Sequence, residues 1–401
     1  MSNKLYEISK PYLIEGYSSI INDMKILLYK RDENIFEILD FENDEIYKDP
    51  LLFAFFYNKI KFKQSLDSLI LGYTSKKNSG EVISDEYGRI YIPNIGWFLT
   101  DYKNQSFVFD KVESKLLKNN EDIKFVFERI EFINNTNIEI LKYQIPLLKS
   151  FYFNTDGAFL DVEIENITKK HLKTITNAYN LIKKNIPSHF ELIEKYAPKC
   201  VIFNFDTYER NSFAALLAYG IGFYNAYQDD YDEVFFIDDI AHQTGHIIFD
   251  TMIFKDQKYL KVKKETIIET LEMPDGTFVE KRDLHIIFHA LYTYYTSFIC
   301  LDKCIDNGEF NNKQLHEAMG RISFYINKCY KDLLLIDSPI KSFEKANHFF
   351  TNDGMIIYTE LKNKWFEMYN KWFEKIKHFD MSNQPYNFTY SKFLELNPLN
   401  N

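Results

Sequence analysis

EVFFIDDIAHQTGHIIFDTMIF (residues 233–254) is the stretch on which the reading of this chain turns. It is apolar almost throughout, yet His242 and His246 interrupt it four residues apart. At about 3.6 residues per turn, side chains four apart stack on one helix face. Two imidazoles placed in this way can grip one cation with two ring nitrogens. A lone histidine on an apolar face is most often a core residue bonded to a backbone carbonyl. Here, however, LHIIFHALYTYYTSFICLDKC (284–304) repeats the spacing with His285 and His289. The other histidines of the chain's nine (His171, His189, His316, His348, His378) are dispersed. Two pairs on consecutive apolar helices point to metal. Asp238 or Asp239 is the expected N-cap of the first helix.

Working outward, KCVIFNFDTY (199–208) and SFAALLAYGIGFYNAY (212–227) read as two neighbouring strands. Ala214 to Tyr227 is a candidate edge for an extended peptide. Residues 255–283 read as a hairpin or flap with the turn Pro274-Asp275-Gly276. The tail, 311–380, is amphipathic and helical, and its Trp365, Phe366, Trp372 and Phe373 form a core or oligomer stripe. At the other end, 1 to about 75 reads as helices, followed by a β patch in YGRIYIPNIGWFLT (87–100). Residues 109–150 and 164–197 read as helical again. The expected organisation is a helical region with a short β patch over 1–195, recognising or framing a peptide. Residues 196–401 form a metal-binding catalytic region with a helical tail.

The chain has 401 residues, 46% of them hydrophobic, with 37 Phe and 29 Tyr, which is ample for a large core and excludes disorder. Only 13 Gly and 10 Pro disfavour a turn-rich sandwich or barrel. The expected class is therefore α+β and predominantly helical. A small sheet should lie beside a metal-ligand helix, in a zincin-like arrangement rather than a jelly roll. A net charge of −10 argues against nucleic acid or an anionic membrane as partner. The opening residues carry no signal pattern, and four cysteines in so long a chain are no disulfide framework, so a cytoplasmic setting is expected.

The water-activating zinc peptidase motif is H-E-x-x-H, with Glu as base. This chain has His242-Gln243-Thr244-Gly245-His246, and glutamine accepts no proton near neutral pH. The two ligands remain without the hydrolytic base, which suits a metal used otherwise. Gly245 costs roughly 1 kcal/mol inside a helix, compensated by close approach of another backbone such as the preceding strand.

Together with the later block Arg282-Asp283-Leu284-His285-Ile286-Ile287-Phe288-His289-Ala290-Leu291-Tyr292, this segment resembles a known family. It is similar to the H-E-x-x-H-type, 2-oxoglutarate-dependent peptide β-hydroxylases that modify ribosomally made peptides. In that family the later block reads approximately Arg-Pro-Leu, three apolar or variable residues, then Leu-His-Gly-Ala-Tyr. Arg282, Leu284, His289 and Tyr292 fall in the matching places, whereas Gln243, Asp283 and Ala290 replace Glu, Pro and Gly. The resemblance covers roughly 199–304. It implies Fe(II) on His242, His246 and His289, with 2-oxoglutarate as co-substrate and a precursor peptide as the partner hydroxylated at Cβ. It further implies Arg282 on the far carboxylate of 2-oxoglutarate, Tyr292 beside that co-substrate, and a catalytic part for Gln243.

Other third ligands stay open: His285 first, then Glu269, with Glu265 and Glu272 also on the flap. Asp250 continues the 242/246 face, but 242 and 250 are separated by roughly 12 Å of helix rise, too far to share one ion. The pairing of Arg282 with Glu280 or Asp283 is the plain alternative for that residue. Two other functions stand beside the oxygenase: a non-catalytic peptide-binding or maturation subunit with a degraded metal site, and a zinc peptidase. The oligomeric state is not legible in the sequence.

Overall fold

Helices open the chain, as three- and four-residue apolar spacing demands: α1 (Lys4–Arg31), α2 (Ile35–Ile38), α3 (Pro50–Tyr57) and α4 (Leu66–Ile70). A long run of strands follows: β1 (Ser79–Ile83), β2 (Arg89–Ile92), β3 (Gly96–Leu99), β4 (Ser106–Asp110), β5 (Lys115–Lys118), β6 (Glu121–Ile123), β7 (Val126–Glu128) and β8 (Glu139–Ile140). Then come α5 (Glu165–Asn185), α6 (Pro187–Tyr196), β9 (Lys199–Phe203), β10 (Phe213–Ala214) and β11 (Ile221–Asn225). The last part holds α7 (Glu233–Met252), β12 (Ile267–Glu272), β13 (Val279–Asp283), α8 (Leu284–Asp306), α9 (Asn312–Ile336), α10 (Ala346–Phe349), α11 (Asn352–Ile376) and α12 (Tyr390–Leu396). This computed structural model describes residues 4–57, 64–154, 156–228, 230–272 and 279–399. With about 51% helix and 15% strand in small sheets, the protein is α+β, as expected.

The helix expected over 109–150 is overturned. Strands β4 to β8 occupy it, and the reason is local. Ser114, Asn119, Asn120 and Asn135 adopt left-handed backbone that no helix continues through. Only four residues separate Ser114 from Asn119, too few for a helix, and Ser106–Asp110 just before them alternates in burial as a half-buried strand does. The β patch, by contrast, is where the sequence put it, as the antiparallel pair β2–β3.

The chain divides into two compact units. One comprises Ser18–Lys173 and Glu194–Asp229. Within it lie the antiparallel sheets β1-β4-β5-β6 and β2-β3-β7 and a mixed sheet ordered β10-β11-β9-β8. The expected strand neighbours are β9 and β11, paired in parallel, with Tyr152, Phe203 and Phe223 in the core beside them. The proposed edge 214–227 holds only at its start: β10 is the edge, whereas β11 is enclosed between β10 and β9.

The other unit comprises Met1–Tyr17, Thr174–Ile193 and Asp230–Asn401. Helix α7 begins earlier than expected, because Asp232 rather than Asp238 or Asp239 is the N-cap, accepting from Val234 N. Asp283 caps α8 and Asn311 caps α9, the latter in a capping box with Gln314. α8 is the one described helix long and apolar enough to cross a membrane, and 78% of its apolar window is buried inside the protein, as befits a core helix. Trp365 and Trp372 are core residues, their indole nitrogens donating to Ile326 O (2.9 Å) and Asp302 Oδ1 (2.8 Å). Strands β12 and β13 form the expected hairpin, and its turn Pro274-Asp275-Gly276 lies outside the described residues.

Candidate metal centre

Helix α7 is enclosed on nearly every side. From Val234 to Met252, only Asp239, His242, His246 and Asp250 escape full burial. These positions recur at three- and four-residue spacing, so they make one open stripe along an otherwise sealed helix. On α8 the first turns behave alike: His285, Ile286, His289 and Ala290 stay partly open, whereas Leu291 to Asp302 are buried.

The two stripes meet. Nδ1 of His246 lies 2.7 Å from Nε2 of His289. One turn further, the Asp250 carboxylate lies 3.5 Å from His285 Nε2 and 3.7 Å from His289 Nε2. Because 246 meets 289 while 250 meets 285, the helices run antiparallel here. Their close approach is fixed at Gly245, where a Cβ would come within 2.6 Å of Thr296 Oγ1. The backbone that Gly245 admits is thus that of α8, not of a preceding strand.

Among the described residues, the group whose ligand atoms all lie within 4.8 Å of one another is Asp250, His285 and His289. His246 touches this group through His289. His242 stands at its far end, 5.0 Å between ring centroids from His246, with its other neighbour Tyr325 stacked at 6.0 Å. The helix-rise argument against sharing an ion between 242 and 250 therefore stands, but the converging donors gather at the 250 end rather than at the 242 end. Asp250 is the residue that sequence reasoning set aside. Its signal was its place four residues beyond His246.

Poor hydration sets the protonation. Burial pushes the His242 and His289 imidazoles down to about 4 and holds His246 well below its ordinary range. His285 is lowered for the same reason, against the pull of Asp250. Neutral imidazoles keep a ring lone pair for a cation. Burial raises the Asp250 carboxyl to about 7, with His285 and Lys264 opposing. Nδ1 of His242 and Nδ1 of His285 are buried without a hydrogen-bond partner. Most buried polar atoms find partners, so this set leaves ring nitrogens that could accept a ligand.

The remaining expected residues are engaged elsewhere. Gln243 Nε2 donates to Asp239 Oδ1 (3.1 Å) on its own helix. Arg282 Nη1 reaches Asp332 Oδ1 of α9 (2.7 Å) and Glu269 Oε2 of β12 (3.2 Å), so Glu269 serves the arginine. The Tyr292 ring packs against Phe249 at 5.3 Å. Glu265 is exposed, and the side chain of Glu272 lies outside the described residues. Two residues that no sequence pattern flagged frame the His242 end. Tyr325 Oη and Arg321 Nη1 both donate to Asp238 Oδ2 (2.9 and 2.7 Å). Neither a family model nor a curated protein sequence matches this chain.

Proposed function

We propose that this chain is an Fe(II)- and 2-oxoglutarate-dependent oxygenase that hydroxylates a side-chain β-carbon of a ribosomally made precursor peptide. The observation that carries the reading is the convergence of Asp250, His285 and His289 within 4.8 Å. Two imidazoles and one carboxylate are the donor set of non-haem Fe(II) oxygenases, and three protein donors leave positions open for co-substrates. The residues fit such an ion: neutral imidazoles offer lone pairs, and the carboxylate supplies the charge that offsets a dication. Asp250, His285 and His289 would hold it, with His246 as the adjoining fourth donor.

When bound, Fe(II) would supply dioxygen activation coupled to decarboxylation of the oxoacid. The chain's own contribution is a part-open stripe for access, backed by Phe249, Phe288 and Tyr292, whose rings exclude water behind the ligands. Gln243 offers no base for hydrolysis. The reading includes a zincin-like frame, supported by chain order: β9 to β11 lead directly into the ligand helix α7. It includes a cytoplasmic setting, supported by four cysteines that are all free and buried.

One observation favours a second reading, a non-catalytic peptide-binding subunit. Arg282 already spends its charge on Asp332 and Glu269, so the anchor implied for 2-oxoglutarate is occupied. Anaerobic titration of metal-free protein with Fe(II) and then 2-oxoglutarate separates the two. The oxygenase gives a visible charge-transfer band that His289→Ala and Asp250→Ala abolish. Folded, iron-loaded protein with no band leaves the binding subunit. Retention of the band in His242→Ala assigns the ion to the Asp250 set, and its loss assigns it to His242, His246 and His289.

A further inference from the structure

The arginines of this chain are few, and all but one of those not fully exposed have an acid beside them. Arg89 meets Glu165, Arg282 meets Glu269 and Asp332, and Arg321 meets Glu317 and Asp238. Arg31 and Arg129 are exposed. Arg210 is part-buried and meets no carboxylate among the described residues. With 58 acidic against 48 basic residues in the chain, an unpaired sheltered guanidinium is a conspicuous exception.

Its surroundings are built around it. The Arg210 Cζ lies 3.9 Å from the ring centroid of Phe213 and 4.5 Å from that of Phe153. Nη2 donates to Phe151 O (3.2 Å), while Nε is buried without a partner. A second orphan borders the same ring. Tyr152 is 0% exposed, its Oη has no hydrogen-bond partner, and it meets Phe213 edge-on at 5.9 Å. Phe213 itself belongs to β10, the edge of the mixed sheet, and among the described residues β10 pairs on one side only, with β11. Leu216, two residues beyond β10, is 55% exposed, and Phe159, bridged to the Phe153 that flanks Arg210, is 59% exposed.

A fork of N–H donors clamped between aromatic rings selects a planar carboxylate and arrives pre-organised for it. An open strand edge selects an extended backbone. Exposed apolar side chains alongside select apolar neighbours of the acid. We propose that Arg210, with the free edge of β10, docks an extended acidic peptide segment, one carboxylate on the guanidinium and the flanking apolar side chains over Leu216 and Phe159. This site lies wholly within one unit and is independent of the metal centre. A chain of net charge −10 repels acidic peptides in general, so capture of one must come from a specific cation.

The test is fluorescence anisotropy of the full chain in EDTA with a labelled Leu-Glu-Leu-Glu-Leu peptide and its Leu-Gln-Leu-Gln-Leu counterpart. The Glu peptide should bind about tenfold or more tightly than the Gln peptide, a fully formed charge-assisted pair being strong. Arg210→Gln should erase that preference while circular dichroism stays unchanged. Equal binding of the two peptides to the unsubstituted chain overturns the proposal, as does a preference that survives in folded Arg210→Gln. Should Arg210→Gln not fold, the peptide comparison in the unsubstituted chain decides alone. Free glutarate is the competing source of carboxylate: displacement of the peptide by equimolar glutarate overturns the peptide assignment.

Discussion

Two polar clusters sit in apolar surroundings and differ in one respect. In the β-rich unit, Lys199 Nζ bonds Glu139 and lies 3.4 Å from Asp49, Tyr91 donates to Glu139, and Tyr73 donates to Asp49. Every group there has a partner. Although burial works against its charge, the two carboxylates hold the Lys199 ammonium above its ordinary range. Between α7 and α8, by contrast, imidazole nitrogens face one another and the Asp250 carboxyl, and two of them, Nδ1 of His242 and of His285, have no partner. A closed network is architecture, since breaking it strands a buried charge. An open one costs stability that only a ligand returns. The same contrast separates Arg321, enclosed by Asp238 and Glu317, from Arg210.

The largest effect should come from opening the closed cluster. Lys199→Met leaves Glu139 and Asp49 buried without a counter-charge and should cost about 3–5 kcal/mol in urea unfolding, with metal binding in the surviving folded fraction unchanged. A loss under 1 kcal/mol would remove the distinction drawn between the clusters.

Next comes a lone orphan. His189 is 1% exposed, its Nε2 has no partner, and burial holds it down to about 4. Its ordinary value is about 6.5, so the unfolded chain binds a proton that the folded one refuses below that pH. Stability is therefore present above about pH 6.5 and is lost as pH falls toward 4, by up to about 3 kcal/mol from this group. The urea midpoint of His189→Leu should fall less steeply over that window. A parallel profile would show that His189 is hydrated in solution.

Gly245→Ala places a methyl 2.6 Å from Thr296 Oγ1, and Thr296 is 0% exposed. Overpacking outweighs the helix-propensity gain, for a net loss of about 1–2 kcal/mol, and forcing α7 from α8 should also weaken metal binding. Unchanged affinity would mean the helices tolerate separation at the site.

The smallest effect on the apo-protein should be that of Asp250→Asn, within about 1 kcal/mol, because it removes an incompletely paired acid. Its effect on the holo-protein should be large. Fe(II) or Co(II) at a hundredfold excess over Kd should stabilise the unsubstituted chain by about 2.7 kcal/mol and the variant by far less. Equal stabilisation of both would exclude Asp250 from the donor set.

Sequence periodicity located α7, α8, α9, α11 and the strands β9 and β11, because each carries a strong apolar pattern over several turns or a compact β-branched run. It failed over 109–150, where KLLK and its neighbours look helical by composition and the left-handed asparagines that cut them into strands are visible only as backbone. It found all four paired histidines and placed the ion toward the 242 end of the α7 face, whereas the close-lying donor group Asp250, His285 and His289 gathers at the 250 end. Arg282 falls in the place the family pattern gives it, yet its partner Asp332 is 50 residues away and belongs to another helix.

What the sequence determined by itself is therefore local: two apolar helices, each bearing an i, i+4 pair, and a glycine that marks a close approach on the first. Helix geometry alone dictates that His242, His246 and Asp250 share one face and that His285 and His289 share another. Which members of those faces converge was decided by the register and antiparallel sense of α7 on α8, set by the packing of side chains such as Thr296 at Gly245. Whether an arginine is a clamp, a strut or an open donor was decided in the same way, since charge is written in the residue but its partner is supplied by the fold.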